Sequence, residues 1–91
     1  MYSIKNYTKE QAKKLGVIVK PSTNPKKKLD VFKDGVKVAS CGDIDYDDYP
    51  TYLEKYGKKY ADERRRLYKL RHNNDRNKEG SSGFYADKLL W

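Results

Sequence analysis

One cysteine and one histidine among 91 residues leave this chain without the materials for an internal disulfide. Cys41 and His72 alone cannot supply the four ligands of a structural zinc site. A lone cysteine fits a reducing compartment. No apolar run approaches the ~20 residues that a membrane-spanning helix requires. The opening Met1-Tyr2-Ser3-Ile4-Lys5 lacks the apolar centre of a signal peptide, so the expectation is a soluble chain made in the cytosol. No serine, cysteine or carboxylate is marked as a partner for His72, and no catalytic residue, cofactor site or metal site is expected.

What the chain has in excess is positive charge and tyrosine. The net charge is +8, with nine Tyr, two Phe and one Trp. The charge is laid out in blocks: residues 1–28 carry net +7, residues 29–57 net −4, residues 58–78 net +6 and residues 79–91 net −1. Two basic blocks flank an acidic one. Such a molecule can meet phosphate, an acidic protein surface or another copy of itself. The length fits one small domain, residues 1–91, with a core that buries only somewhat over ~60% of the unfolded surface.

The spacing of residues predicts an α+β fold. Thr8-Lys9-Glu10-Gln11 reads as a capping box, opening a short helix that Gly16 stops. Ala12 and Leu15 form its inward face. Val17-Ile18-Val19 is β-branched and reads as a strand over 17–20. Residues 21–28, with two prolines and a lysine run, form a basic loop. Asp34-Gly35 lies between the β-rich runs 28–32 and 36–40, which is a hairpin signal with Gly35 at positive φ. Leu29, Val31, Val36 and Val38 are expected to form the buried face of a small antiparallel sheet.

An acidic loop follows over 43–48. Asp48 or Tyr49 can cap the next helix, with Pro50 at its start. Tyr49, Leu53, Tyr56, Tyr60, Leu67 and Arg71 recur at helical spacing, and Gly57 bends or splits the run. This long or broken helix ends near His72, at a polar break over 73–82. Ser81 or Ser82 then caps a final helical turn over 83–90, with Phe84, Leu89 and Leu90 inward.

Two groups of residues stand out as contact candidates. Lys26, Lys27, Lys28, Arg64, Arg65, Arg66, Lys69 and Arg71 are placed to meet a partner or a phosphate, because Arg and Lys pair with anions. Tyr85 and Trp91 are aromatic anchors, since a terminal aromatic segment costs solubility unless it is buried in the domain or in a neighbour. Tyr49, Tyr52, Tyr56 and Tyr60 form a stripe suited to a core or an interface. Asp43, Asp45, Asp47 and Glu54 imitate calcium-loop spacing. Asp48 stands where a sharp turn needs Gly and Pro50 is misplaced, so an acidic surface loop is the simpler reading. His72, near a helix C-terminus, reads as a cap that compensates the dipole, and Cys41 as a small hydrophobe.

The segments Arg64-Arg65-Arg66-x-Tyr68-x-x-Arg71-His72 and Gly83-Phe84-Tyr85-Ala86-Asp87-Lys88-Leu89-Leu90-Trp91 resemble a family of small basic proteins of large double-stranded DNA viruses of eukaryotes. Looser versions of this tail occur in some tailed phages. Tyr7-Thr8-x-Glu10-Gln11-Ala12-Lys13-Lys14-Leu15-Gly16-Val17, Val19-Lys20-Pro21-Ser22 and Asp48-Tyr49-Pro50-Thr51-Tyr52-Leu53 extend the resemblance over nearly the whole chain. It implies a viral origin and a place in or near the virion, and it carries no activity onto particular residues. The stretch Asp43 to Asp48 is richer in Asp than the family pattern and takes no function from it. The expected role is a non-enzymatic viral structural protein made in the host cytoplasm, a minor capsid or virion component that bridges larger viral structural proteins. The alternative is a DNA- or RNA-binding accessory protein that contacts the nucleic-acid backbone without reading sequence. A host-directed inhibitor would leave no mark in the sequence.

Overall fold

The computed structural model describes residues 2–74 and 76–91. The elements run α1 (Asn6–Leu15), β1 (Ile18–Pro21), β2 (Lys27–Lys33), β3 (Val36–Asp43), α2 (Tyr49–Tyr56), α3 (Lys58–Arg71) and α4 (Ser82–Leu90). The fold is α+β, with one antiparallel sheet in the order β1-β2-β3. No helix among the described residues is long and apolar enough to cross a membrane.

Local chemistry explains most boundaries. Asp34 and Gly35 both take positive φ, 53° and 79°, and join β2 to β3 as a two-residue turn. That geometry matches the right-handed twist of the two strands. Gly16 closes α1 in the left-handed region at φ 75°, and its amide bonds back to Ala12 and Lys13. Asp48 caps α2 by accepting from the Thr51 amide, and Ser81 caps α4 by accepting from the Phe84 amide. Pro50 sits in the first turn of α2, where its missing amide costs no helical bond. Gly57 separates α2 from α3, so the expected long or broken helix is two helices split at this glycine.

Three expectations need correction. Thr8 does not cap α1: the helix begins two residues earlier, at Asn6, and Lys5 provides no side-chain cap. Thr8 is instead fully buried, and its Oγ1 finds no hydrogen-bond partner among the described residues. Val36 and Val38 do not line the core, being 62% and 39% exposed. For Val38 a bulge between Val31 and Phe32 makes the difference, because Val31 pairs with Ala39 while Phe32 pairs with Lys37, whereas Val36 keeps its place opposite Lys33 and is exposed at the end of the hairpin. Val38 is the extra residue, and the inward positions of β3 pass to Ala39 and Cys41. The basic loop is also shorter than 21–28, since Pro21 belongs to β1 and Lys27 and Lys28 belong to β2.

The aliphatic core joins α1, the sheet and α4. Leu29, Val31, Ala39, Cys41, Leu89 and Leu90 are its centre, with Ala12 and Val17 beneath and Tyr85 and Ala86 beside them. Each large side chain buried there is worth ~1.5–3 kcal/mol. No residue of α2 or α3 belongs to this cluster. Tyr49, Ala61 and Tyr68 of these two helices are buried outside it, Tyr49 against Tyr7 of α1 and Tyr68 against Trp91.

Candidate binding groove

Polar and aromatic contacts dock the α2–α3 pair. Lys28 reaches from β2 to Asp48 at 3.0 Å, with side chains only 5% and 1% exposed. The Tyr2 hydroxyl donates to the same carboxylate at 2.6 Å, and the Thr51 hydroxyl donates to its other oxygen at 2.6 Å. Burial alone would raise the Asp48 pKa. The Lys28 charge and the hydrogen bonds from Thr51, Tyr2 and Lys28 outweigh it and hold the carboxyl below its ordinary value. Burial, with Asp48 alongside, pushes the Tyr2 phenol well above its ordinary value. Further out, Arg65 lies 3.5 Å over the Tyr49 ring and donates to the Tyr7 hydroxyl at 3.2 Å. Lys5 pairs with Glu54 at 2.9 Å, and Lys69 pairs with the buried Asp87 of α4 at 2.7 Å.

Trp91 completes this junction. Its ring stacks on Tyr68 with centroids 4.3 Å apart and planes 8° apart. Tyr68 in turn stacks on His72 at 4.4 Å, and Tyr52 touches Trp91 from α2 at 6.1 Å. The tail therefore folds back onto α3, as its composition requires. Tyr85, the other expected anchor, is a core residue packed edge-on to Phe84.

Between the end of β3, the 43–48 loop, α3 and the start of α4 lies a groove of about 580 Å³. That size suits a ligand or a short peptide segment. Trp91, Tyr68 and Tyr52 form an aromatic wall. Arg64, Arg71 and Lys27 line it with positive charge, and Asp43 and Asp47 line it with negative charge. Arg64 also sits over the Tyr52 ring, with its guanidinium 5.4 Å from the centroid. Gly42 lets the floor close: it takes φ 81°, and a Cβ there would stand 2.7 Å from Leu90 Cδ1 and 3.1 Å from Lys28 Cδ.

The eight predicted cationic contacts thus divide. Lys28, Arg66 and Lys69 are spent on Asp48, Glu63 and Asp87. Arg65 is spent on two tyrosines. Arg64, Arg71 and Lys27 converge on the groove, and Lys26 stays exposed in the turn before β2. Neither Arg71 nor Lys27 makes an ion pair with another described residue. The acidic loop holds no cluster of three metal-binding side chains among the described residues. Asp48 is committed to Lys28 and Asp47 to Lys55.

Cys41 and His72 both line the groove. Burial pushes the Cys41 thiol up to about 12, so it stays protonated at neutral pH and offers no thiolate.

Two polar centres escaped the sequence reading. One is the Lys28–Asp48–Tyr2 junction. The other is Asp30 on the central strand, buried between Leu29 and Val31 in sequence. Ser22 and Ser40 each donate to it at 2.7 Å, the Thr23 amide at 3.2 Å, and Lys37 stands at 3.5 Å. Burial raises its pKa, but the hydrogen bonds from Ser40, Ser22 and Thr23 and the Lys37 charge bring it down to about 2. An Asp inside an apolar β run was the one available signal. Comparison with family models, curated proteins and solved structures finds no match for this chain.

Proposed function

We propose that this chain is a non-enzymatic structural protein, a minor capsid or virion component that bridges larger subunits through the groove and the α2–α3 face beside it. One observation carries the reading. The cations of α3 are divided between internal docking and a groove that also presents an aromatic wall and an acidic rim. A surface of mixed sign rimmed with tyrosine suits a protein better than a polyanion. Tyr46, Tyr56 and Tyr60 add exposed aromatic area nearby, Tyr46 being 70% exposed. The resemblance of the 64–72 and 83–91 segments to small viral proteins supports the virion setting.

The test is the protein content of purified particles. The chain should be present at a fixed ratio to the major subunit and survive nuclease treatment and a high-salt wash. Its absence from washed particles would overturn the reading.

A second reading, backbone binding to DNA or RNA without sequence preference, draws on the net charge of +8 and the exposed Lys26, Lys27 and Arg71. Gel shifts with random duplex at two salt concentrations separate the two readings. Phosphate binding weakens log-linearly and steeply with salt, whereas a bridge with an aromatic core weakens little.

A further inference from the structure

We infer that the groove beside Trp91 is a slot for an extended acidic segment of a partner protein, one that carries carboxylates about three residues apart and an aromatic or aliphatic side chain between them. This rests on the bridging role proposed above and names the chemistry of the partner.

The spacing of the cations comes first. Arg64 and Arg71 are two helical turns apart on α3 and line the same groove. Seven residues of helix separate them by about 10 Å along the axis. A chain extended as polyproline II advances about 9 Å in three residues, one full turn, and so returns the side chain at i+3 to the face of i. Carboxylates at positions i and i+3 of such a chain therefore match the two guanidiniums. Lys27 lines the groove from the sheet side and can receive a third.

The wall between these cations is aromatic. Trp91, Tyr68 and Tyr52 give the intervening side chain an apolar surface. Their rings are already packed on one another, with Trp91 flat on Tyr68 and Arg64 over Tyr52. A nucleobase can stack only on a ring face that these contacts leave open, while a side chain can also lie along the ring edges.

The rim argues against a nucleic-acid strand. Asp43 and Asp47 line the groove opposite the arginines, and Asp45 belongs to the same loop. A strand brings a phosphate at every nucleotide, at about 3.4 Å along the helix axis. Some of those phosphates would press against the aspartates. A peptide can leave the position facing the loop neutral.

Trp91 is the only tryptophan, so its fluorescence, excited where tyrosine does not absorb, reports directly on the groove. The probe is a capped octapeptide of six glutamates and two phenylalanines, titrated at physiological salt. The controls are the same peptide with lysines for glutamates, octathymidylate and adenosine monophosphate. A saturable fluorescence change with the acidic peptide alone is expected. Arg71→Glu should weaken it at least tenfold. Arg66→Glu, at a position paired with Glu63 and absent from the groove lining, should change it less than twofold. Lys27→Glu provides a second loss-of-binding variant should Arg71→Glu not fold, as judged by circular dichroism.

No saturable change with the acidic peptide would overturn the inference. Equal weakening by Arg66→Glu would do the same, by reducing the effect to overall charge. Tighter binding of octathymidylate or of the nucleotide would transfer the groove to phosphate. Particle analysis keeps this inference separate from the bridging role. A chain present in washed particles but indifferent to the peptide loses the slot and keeps the bridge, while a chain absent from particles loses the bridge whatever the peptide does.

Discussion

The two halves of this molecule are held by different forces. In the half made of α1, the sheet and α4, apolar side chains interdigitate around Leu29, Val31, Leu89 and Leu90. In the half made of α2 and α3, the buried contacts are a lysine on an aspartate, a guanidinium on a tyrosine ring and a tryptophan on a tyrosine. The first kind of contact is non-directional and tolerates small shifts. The second depends on geometry and fails as soon as one partner is lost. The groove lies along this seam, so its shape depends on the directional contacts.

The largest expected effect comes from the seam. Asp48→Ala leaves Lys28 buried without its counter-charge, strips Tyr2 and Thr51 of their acceptor and removes the α2 cap. Breaking a buried pair in this way costs about 3–5 kcal/mol. If α2 and α3 can lift away and hydrate Lys28, the measured loss in chemical denaturation will be smaller than that and will come with a lower denaturant slope. A full loss with an unchanged slope would show that the two halves unfold as one.

Leu89→Ala probes the aliphatic half and should cost about 2–5 kcal/mol, as for other fully buried leucines. Its effect should reach every probe of structure at once, in contrast to Asp48→Ala. Thermal melts followed by tyrosine and by backbone circular dichroism would check this, and separated midpoints would count against it.

Gly42→Ala brings a methyl group to 2.7 Å from Leu90 where backbone φ is 81°. Overpacking of this kind costs about 1–3 kcal/mol. Because the groove floor closes at Gly42, the variant should also change Trp91 emission. An unchanged melting temperature and spectrum would place Gly42 outside the floor.

The smallest effect expected is a pH dependence to which Asp30 contributes. Asp30 has an ordinary value of 3.8 and a folded value of about 2. A depressed carboxylate contributes stability above its unfolded pKa, and that stability is lost as pH falls through the folded value. The loss attributable to Asp30 should therefore fall between about pH 4 and pH 2. Asp30→Asn should flatten the stability profile in that window. Asp48, also depressed, acts in the same direction at the seam.

The sequence was readable where a single residue sets local geometry. Asp34-Gly35, Gly16, Asp48, Gly57 and Ser81 each sit where their backbone or capping chemistry places them. It was misleading where tertiary context decides. Alternation put Val36 and Val38 inward; a bulge that no local pattern announces displaced Val38, and Val36, opposite Lys33 at the end of the hairpin, is left exposed. Thr8 has the makings of a cap, and packing drew it into the interior instead. The groove was half legible. The arginine run and Trp91 were evident, but which arginines reach the groove depends on partners far along the chain. Lys69 needs Asp87, 18 positions away, and Arg65 needs Tyr7, 58 positions away. The Lys28–Asp48 pair was invisible for the same reason, because both residues look like members of solvated charge runs.

Native-state hydrogen exchange resolved along the chain tests the central comparison most directly. The account predicts that amides of α3, residues 58–71, open with a smaller free energy than those of β2 at residues 29–31, because α3 contributes no residue to the aliphatic core. Equal opening free energies in both regions, equal to the global unfolding value, would contradict it.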